Sequence, residues 1–108
     1  MAKFETQVMG NMDALLSRIE DGILNGSISA TLEDASDFSG NGARCSVRVF
    51  ERYSALGSNR VSMSVTLFQV EPNVVQLSAI TSGGSQAVFF KLNTFGEEAF
   101  LEKLKELL

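Results

Sequence analysis

The stretch ARCSVRVFERYSALGSNRVSMSVTLFQV, residues 43–70, decides the fold. It alternates like two half-buried strands around a polar centre and reads as a long β-hairpin. Odd positions carry Cys45, Val47, Val49, Tyr53, Val61, Met63, Val65 and Leu67, while even positions carry Arg44, Arg48, Arg52 and Arg60. Side chains alternate across a strand, so this pattern predicts the odd set against a core and the arginines on the opposite, open face. Centring the turn on Gly57 pairs Val49 with Val65, Val47 with Leu67 and Tyr53 with Val61. Every pair then joins odd with odd, and register and burial agree. Glu51 fits less well, being a carboxylate on the core parity. It reads as a rim residue with its head in water, or as a buried acid with a raised pKa.

Working outward, residues 3–9 predict a short strand with Phe4 and Val8 on one side. Gly10 ends it, and Asn11 is the N-cap of a helix to about Leu24. The apolar stripe Met12, Leu15, Leu16, Ile19 and Ile23 has the helical period, and Asp13 suits the helix dipole. Asn25-Gly26 is a stop signal of the left-handed kind. Ser27 to Glu33 alternates as a strand, and residues 34–42 have the composition of a loop. Beyond the hairpin, Pro72-Asn73 marks a turn. Val74 to Thr81 is a strand with Val75, Leu77 and Ala79 towards the core. Residues 87–92 read as a sixth strand or as an extended lead-in. Thr94-Phe95-Gly96-Glu97 is a capping box opening a last helix, whose stripe is Phe100, Leu101, Leu104, Leu107 and Leu108.

Two helices with one apolar stripe each, and a meander with one apolar face, are buried most simply as two layers. The expected fold is α+β over residues 1–108: a single antiparallel sheet with both helices on one face, in the manner of helix-grip and TATA-binding-protein-like topologies. The runs Gly26-Ser27-Ile28-Ser29-Ala30, Glu51-Arg52-Tyr53-Ser54-Ala55-Leu56-Gly57, and Ala79 to Ala87 with Asn93 to Glu97, together resemble a small uncharacterised family of Gram-positive, Firmicutes-type bacteria. That family is a domain of unknown function. The resemblance covers nearly the whole chain and implies no activity and no functional residue.

Composition excludes several classes. The chain has 108 residues, no histidine, no tryptophan and one cysteine. Without histidine it lacks the usual general base near neutral pH and the commonest transition-metal ligand, and no Ser-His or Cys-His pair can form. No disulfide can form within the chain, no run is long enough to cross a membrane and no secretion signal opens it. The expected compartment is therefore the cytoplasm. The net charge of −4 divides into +3 over residues 43–62 and −7 elsewhere. A globally acidic chain is a poor match for nucleic acid, while the basic segment leaves room for a local anion site.

The leading functional reading is a non-enzymatic interaction protein, self-associating through an outer face built from Arg48, Phe50, Arg52, Arg60, Thr66 and Phe68. On that face Arg48 is expected between the rings of Phe50 and Phe68. The alternative is a helix-grip domain holding a small apolar or anionic ligand between sheet and helix. Ser82, Gly83, Gly84 and Ser85 form a candidate anion loop, since glycines let backbone amides converge, although the lysine of a phosphate-binding loop is missing. Residues 37–42 imitate the start of a calcium loop, but its twelfth position is Arg48 where a glutamate is needed. No cofactor, catalytic residue or metal site is expected, and Cys45 reads as a small core residue.

Overall fold

The computed structural model describes residues 1–54, 59–83 and 90–108, without the side chains of residues 90–94. In chain order the elements are β1 (Ala2–Met9), α1 (Met12–Asn25), β2 (Thr31–Gly40), β3 (Ala43–Tyr53), β4 (Arg60–Gln69), β5 (Val74–Gly83) and α2 (Phe90–Lys105). The fold is α+β: one antiparallel sheet in the order β1-β5-β4-β3-β2, with two helices. α1 carries the chain from one edge strand to the other, and the β2–β5 meander returns it to β1.

α1 forms as its sequence indicates. The Asn11 side chain accepts a hydrogen bond from the Ala14 amide at 2.8 Å, and Met12, Leu15, Ile19 and Ile23 are buried. The helix stops at Gly26, but with φ −81° this glycine is not left-handed. Its role is close approach, since a Cβ there would stand 2.7 Å from the Gly22 carbonyl oxygen.

The segment expected to be loop is instead strand. β2 runs to Gly40 and turns into β3 through Asn41-Gly42, with φ of +51° and +80°. Two central residues with positive φ make a hairpin turn of the type that matches strand twist, and Asn-Gly is its preferred pair. Asp37, Ser39 and Gly40 are therefore ladder residues, not calcium-loop positions. Conversely, residues 27–30 lie outside β2, which begins at Thr31. β2 is exposed along its whole length and is an edge strand, guarded by Glu33, Asp34, Asp37 and a bulge between Leu32 and Asp34.

The β3–β4 pairing corrects the expected register by one residue. Phe50 faces Met63, Arg48 faces Val65, Ser46 faces Leu67 and Arg52 faces Val61, so even positions of β3 pair with odd positions of β4. The hairpin closes through the hydrogen bond from the Ser54 amide to the Asn59 carbonyl at 2.8 Å, which leaves an even number of residues between them. On β4 the expected core set holds: Val61, Met63, Val65 and Leu67 are buried. On β3 it inverts. Phe50 is 0% exposed and Arg48 8%, while Cys45, Val47 and Val49 lie half-buried on the other face. The physical reason lies in Phe50 and Glu51. The odd-in arrangement buries a carboxylate and exposes the largest apolar side chain of the strand; the even-in arrangement does the reverse.

Val75, Leu77 and Ala79 of β5 complete the sheet's core face, as expected, and the Pro72-Asn73 turn is present with Asn73 at φ +62°. α2 covers them with Phe100, Leu101 and Leu104, while Leu108 stays exposed. The helix begins at Phe90, before the expected capping box, so Thr94 is internal and residues 90–92 are helical, not a sixth strand. Residues 87–89 lie outside the described residues. Gly96 lets α2 sit closely on the sheet end, where an added Cβ would meet Ser54 Oγ at 2.9 Å and Val61 Cγ2 at 3.2 Å. No helix among the described residues is long and apolar enough to cross a membrane.

Two outcomes test this packing. Phe50→Ala is expected to cost about 3–5 kcal/mol in urea unfolding, and Val49→Ala less than about 1 kcal/mol. Gly96→Ala would raise stability by about 1 kcal/mol if helix propensity alone acted. Crowding against Ser54 and Val61 is expected to reverse the sign, so that the melting temperature falls.

Candidate functional site

The sheet has two faces of different chemistry, and the arginines divide between them. Arg44 and Arg48 face the helices, where each meets a carboxylate of α1. Arg44 Nη2 donates to Asp13 at 2.7 Å and Arg48 Nε to Glu20 at 3.0 Å. Residues two helical turns apart span about 10.5 Å on a helix, and residues four apart on a strand about 13 Å, so the two pairs align as a rail. Arg48 also reaches Asp37 of β2 through Nη1 at 3.1 Å and Nη2 at 3.3 Å, and Asp37 accepts from Ser46 Oγ at 2.6 Å. Arg48 is thus enclosed between α1, β2 and β3, away from the outer face proposed for it. Burial works to lower its pKa, but Asp37 and Glu20 together leave it above the ordinary arginine value.

Arg52 shares the helix-facing parity but pairs with no carboxylate among the described residues. Its Nε is buried and without a hydrogen-bond partner, and its guanidinium carbon lies 4.6 Å from the centre of the Phe100 ring. Desolvation holds its pKa below the ordinary value. A cation–π contact contributes about 0.5–2 kcal/mol, whereas an unsatisfied donor of a charged group costs on the order of 1–3 kcal/mol or more. The stack at best offsets the missing partner.

The helix-free face carries the rest. Phe38, Cys45 and Phe68 form one row across β2, β3 and β4; Val47 and Thr66 lie in the next; Val49, Ser64 and Ile80 in the one after. Phe38 is 66% exposed, Phe68 42% and Ile80 40%. A groove of about 510 Å³ runs beside Thr66, Phe68, Gln7 and Gln76. Arg60 closes one end of this face. Its Nε donates to Glu51 at 2.6 Å, it approaches Glu33 at 3.5 Å, and it lies over Tyr53 at 5.2 Å. The Glu51 hydrogen bond is the chief cause of its raised pKa.

Of the residues expected to form one outer site, then, Arg60, Thr66 and Phe68 are on the open face, while Arg48, Phe50 and Arg52 are on the helix face. The expected stacking of Arg48 between Phe50 and Phe68 is replaced by Arg52 on Phe100 and Arg60 on Tyr53. In the anion loop, Ser82 lies on the open face opposite Ser62. The Gly83 amide donates to buried Glu97 at 2.8 Å, and Glu97 also holds the Met1 amino group at 2.7 Å. Gly84 and Ser85 lie outside the described residues. Phe38, Val47 and Val49 are the open-face residues that the expected parity missed; Asn41-Gly42 was the signal for the first and Glu51 for the other two. On the helix face the side chains of Phe50, Met63, Val65, Leu67 and Val75 are buried in one core cluster with residues of α1 and α2. Among the described residues no group of three or more Cys, Asp or Glu could hold a metal ion.

The chain belongs to DUF6054, a family of unknown function whose sequence pattern matches residues 1–108. No curated protein matches it.

The rail implies an acid dependence. The Arg44 hydrogen bond holds Asp13, and the Ser46 and then Arg48 hydrogen bonds hold Asp37, below their ordinary value of 3.8. The unfolded chain therefore binds protons more readily than the folded one at these groups. Their contribution is present above pH 3.8 and disappears as the pH falls through the lower folded values. Melting temperature is expected to drop as the pH falls below 3.8, with a shallower slope in Asp13→Asn/Asp37→Asn. Equal slopes in thermal melts followed by circular dichroism would remove the rail from the account.

Proposed function

We propose that the protein is a non-enzymatic interaction module that pairs with a second copy through its helix-free sheet face, in the cytoplasm, where its single thiol stays reduced. The observation that carries this reading is the row structure of that face. Phe38, Cys45, Val47, Val49, Thr66, Phe68 and Ile80 are contiguous across the strands, and among the described residues no element covers them. Scattered exposed apolar residues need no explanation, but a contiguous apolar patch marks an interaction surface.

Size and charge favour a second copy as the partner. Five strands of about ten residues present a face of roughly 33 by 24 Å, on the order of 800 Å², which is one partner's share of a standard interface. A two-fold pair sets the patch against itself, so like charges at its centre are costly. The central rows hold Val, Ser, Thr, Phe and Cys, while Lys3, Glu5, Asp34 and the Arg60–Glu51 pair stand at the margins.

Light scattering is expected to give about twice the 11.7 kDa of one chain, and Phe68→Arg the mass of one chain with an unchanged circular dichroism spectrum. Val47→Arg, from the neighbouring strand, is expected to act the same way. A wild-type protein of 11.7 kDa at high concentration ends the proposal.

A further inference from the structure

Among the described residues Arg52 is a cation with no counter-ion, whereas each other arginine but one has a carboxylate partner. Arg44, Arg48 and Arg60 each hold carboxylates, and Arg18 donates to the Leu107 carbonyl at 2.7 Å. Among the described residues nothing accepts a hydrogen bond from the Arg52 Nε. That nitrogen is enclosed, while the residue as a whole is only half-buried. Among the described residues no acid forms an ion pair with Arg52, and Glu97, the acid held at the end of the same row, is engaged by the Gly83 amide and the Met1 amino group. Across the sheet its neighbours are Val61 and then Gly83, and along the strand on the same face they are Phe50 and Ser54. The Phe100 ring lies 4.6 Å from the guanidinium carbon on the helix side. Enclosing an arginine without a partner is destabilising, and such an arrangement is expected where the partner arrives from outside.

We propose that the two terminal nitrogens of Arg52 form a binding site for an oxyanion, a carboxylate or a phosphate, which they grip end-on through paired hydrogen bonds. A guanidinium presents parallel N–H groups that match two oxygens of such a group, and contact with the Phe100 ring leaves the side chain less freedom to lose on binding. The site lies on the helix side of the sheet, so it is separate from the self-pairing face and does not depend on it. The Gly83 amide is already engaged by Glu97, so the recognition rests on the guanidinium and not on the glycine loop. The depressed pKa of Arg52 agrees with a charge lacking its counter-ion.

The experiment is a titration of the full chain with sodium acetate and, separately, sodium phosphate at constant ionic strength, followed by NMR of the arginine Nε–H and backbone amide signals. The expected result is a saturating shift at Arg52 Nε–H and at the amides of Ser54 and Val61, with Arg60 Nε–H unmoved. Saturation by acetate assigns a carboxylate, and saturation by phosphate assigns a phosphate; either supports the site. Arg52→Lys keeps the charge and loses the fork, and is expected to weaken the apparent affinity by about tenfold or more. Arg52→Met is expected to abolish the shifts and to melt no lower than wild type, because it removes an unpaired charge. Two results overturn the proposal: shifts linear in both anions, or the same saturating shifts at Ser54 and Val61 in Arg52→Met.

Discussion

The face of β3 on which Phe50 lies decides the rest of the structure. An aromatic side chain and a carboxylate are adjacent, so one is inside and the other outside, and no register places both well except the one that buries Phe50 against Met63. That choice draws Arg44, Arg48 and Arg52 to the helix face with it. The enclosed Arg48 meets Glu20 from α1 and Asp37 from β2, and the half-buried Arg44 meets Asp13 from α1. The position of α1 along the sheet is thus fixed at one side by apolar packing and at the other by a pair of ions spaced to match a helix against a strand.

The same choice explains the open face. With the arginines turned inward, the odd positions of β3 leave Cys45, Val47 and Val49 beside Phe38 and Phe68. The helix-free side is therefore less charged than the alternation of the hairpin suggested. Its exposed ends are managed differently. β2, at the sheet edge, is acidic and bulged, which disfavours strand addition there, while the centre of the face has no such guard. The surface is protected against pairing edge to edge and left open to pairing face to face.

Much of this was legible in the residues, and the failures have definite causes. The α1 cap and stripe, the β4 core positions, the Pro72-Asn73 turn and the core face of β5 follow from spacing alone, because each rests on local periodicity or capping. The β3 parity did not, because three valine and cysteine positions outweighed a single Phe50 and the warning of Glu51. Counting apolar residues fails where arginines can be neutralised by acids distant in sequence. The β2–β3 turn was missed because Ser, Asp and Gly around Asn41-Gly42 resemble loop composition, although the dipeptide itself marks a two-residue hairpin. The capping box was misread for a similar reason: Glu97 satisfies Gly83 across the fold, not the start of its own helix.

Arg48 and Arg52 show how far residue type falls short of role. They occupy the same strand and the same face, four positions apart, and differ only in what stands over them. Above Arg48 is the polar flank of α1, with Asp37 beside it; above Arg52 is the Phe100 ring of α2. The first guanidinium spends its donors on the fold and is a structural clamp. The second has an Nε without a partner and lies against an aromatic ring. Had both been structural, the fold would gain from an acid opposite Arg52, yet Val61 and Gly83 occupy that row. One helix face therefore carries a finished ion cluster and an unfinished one.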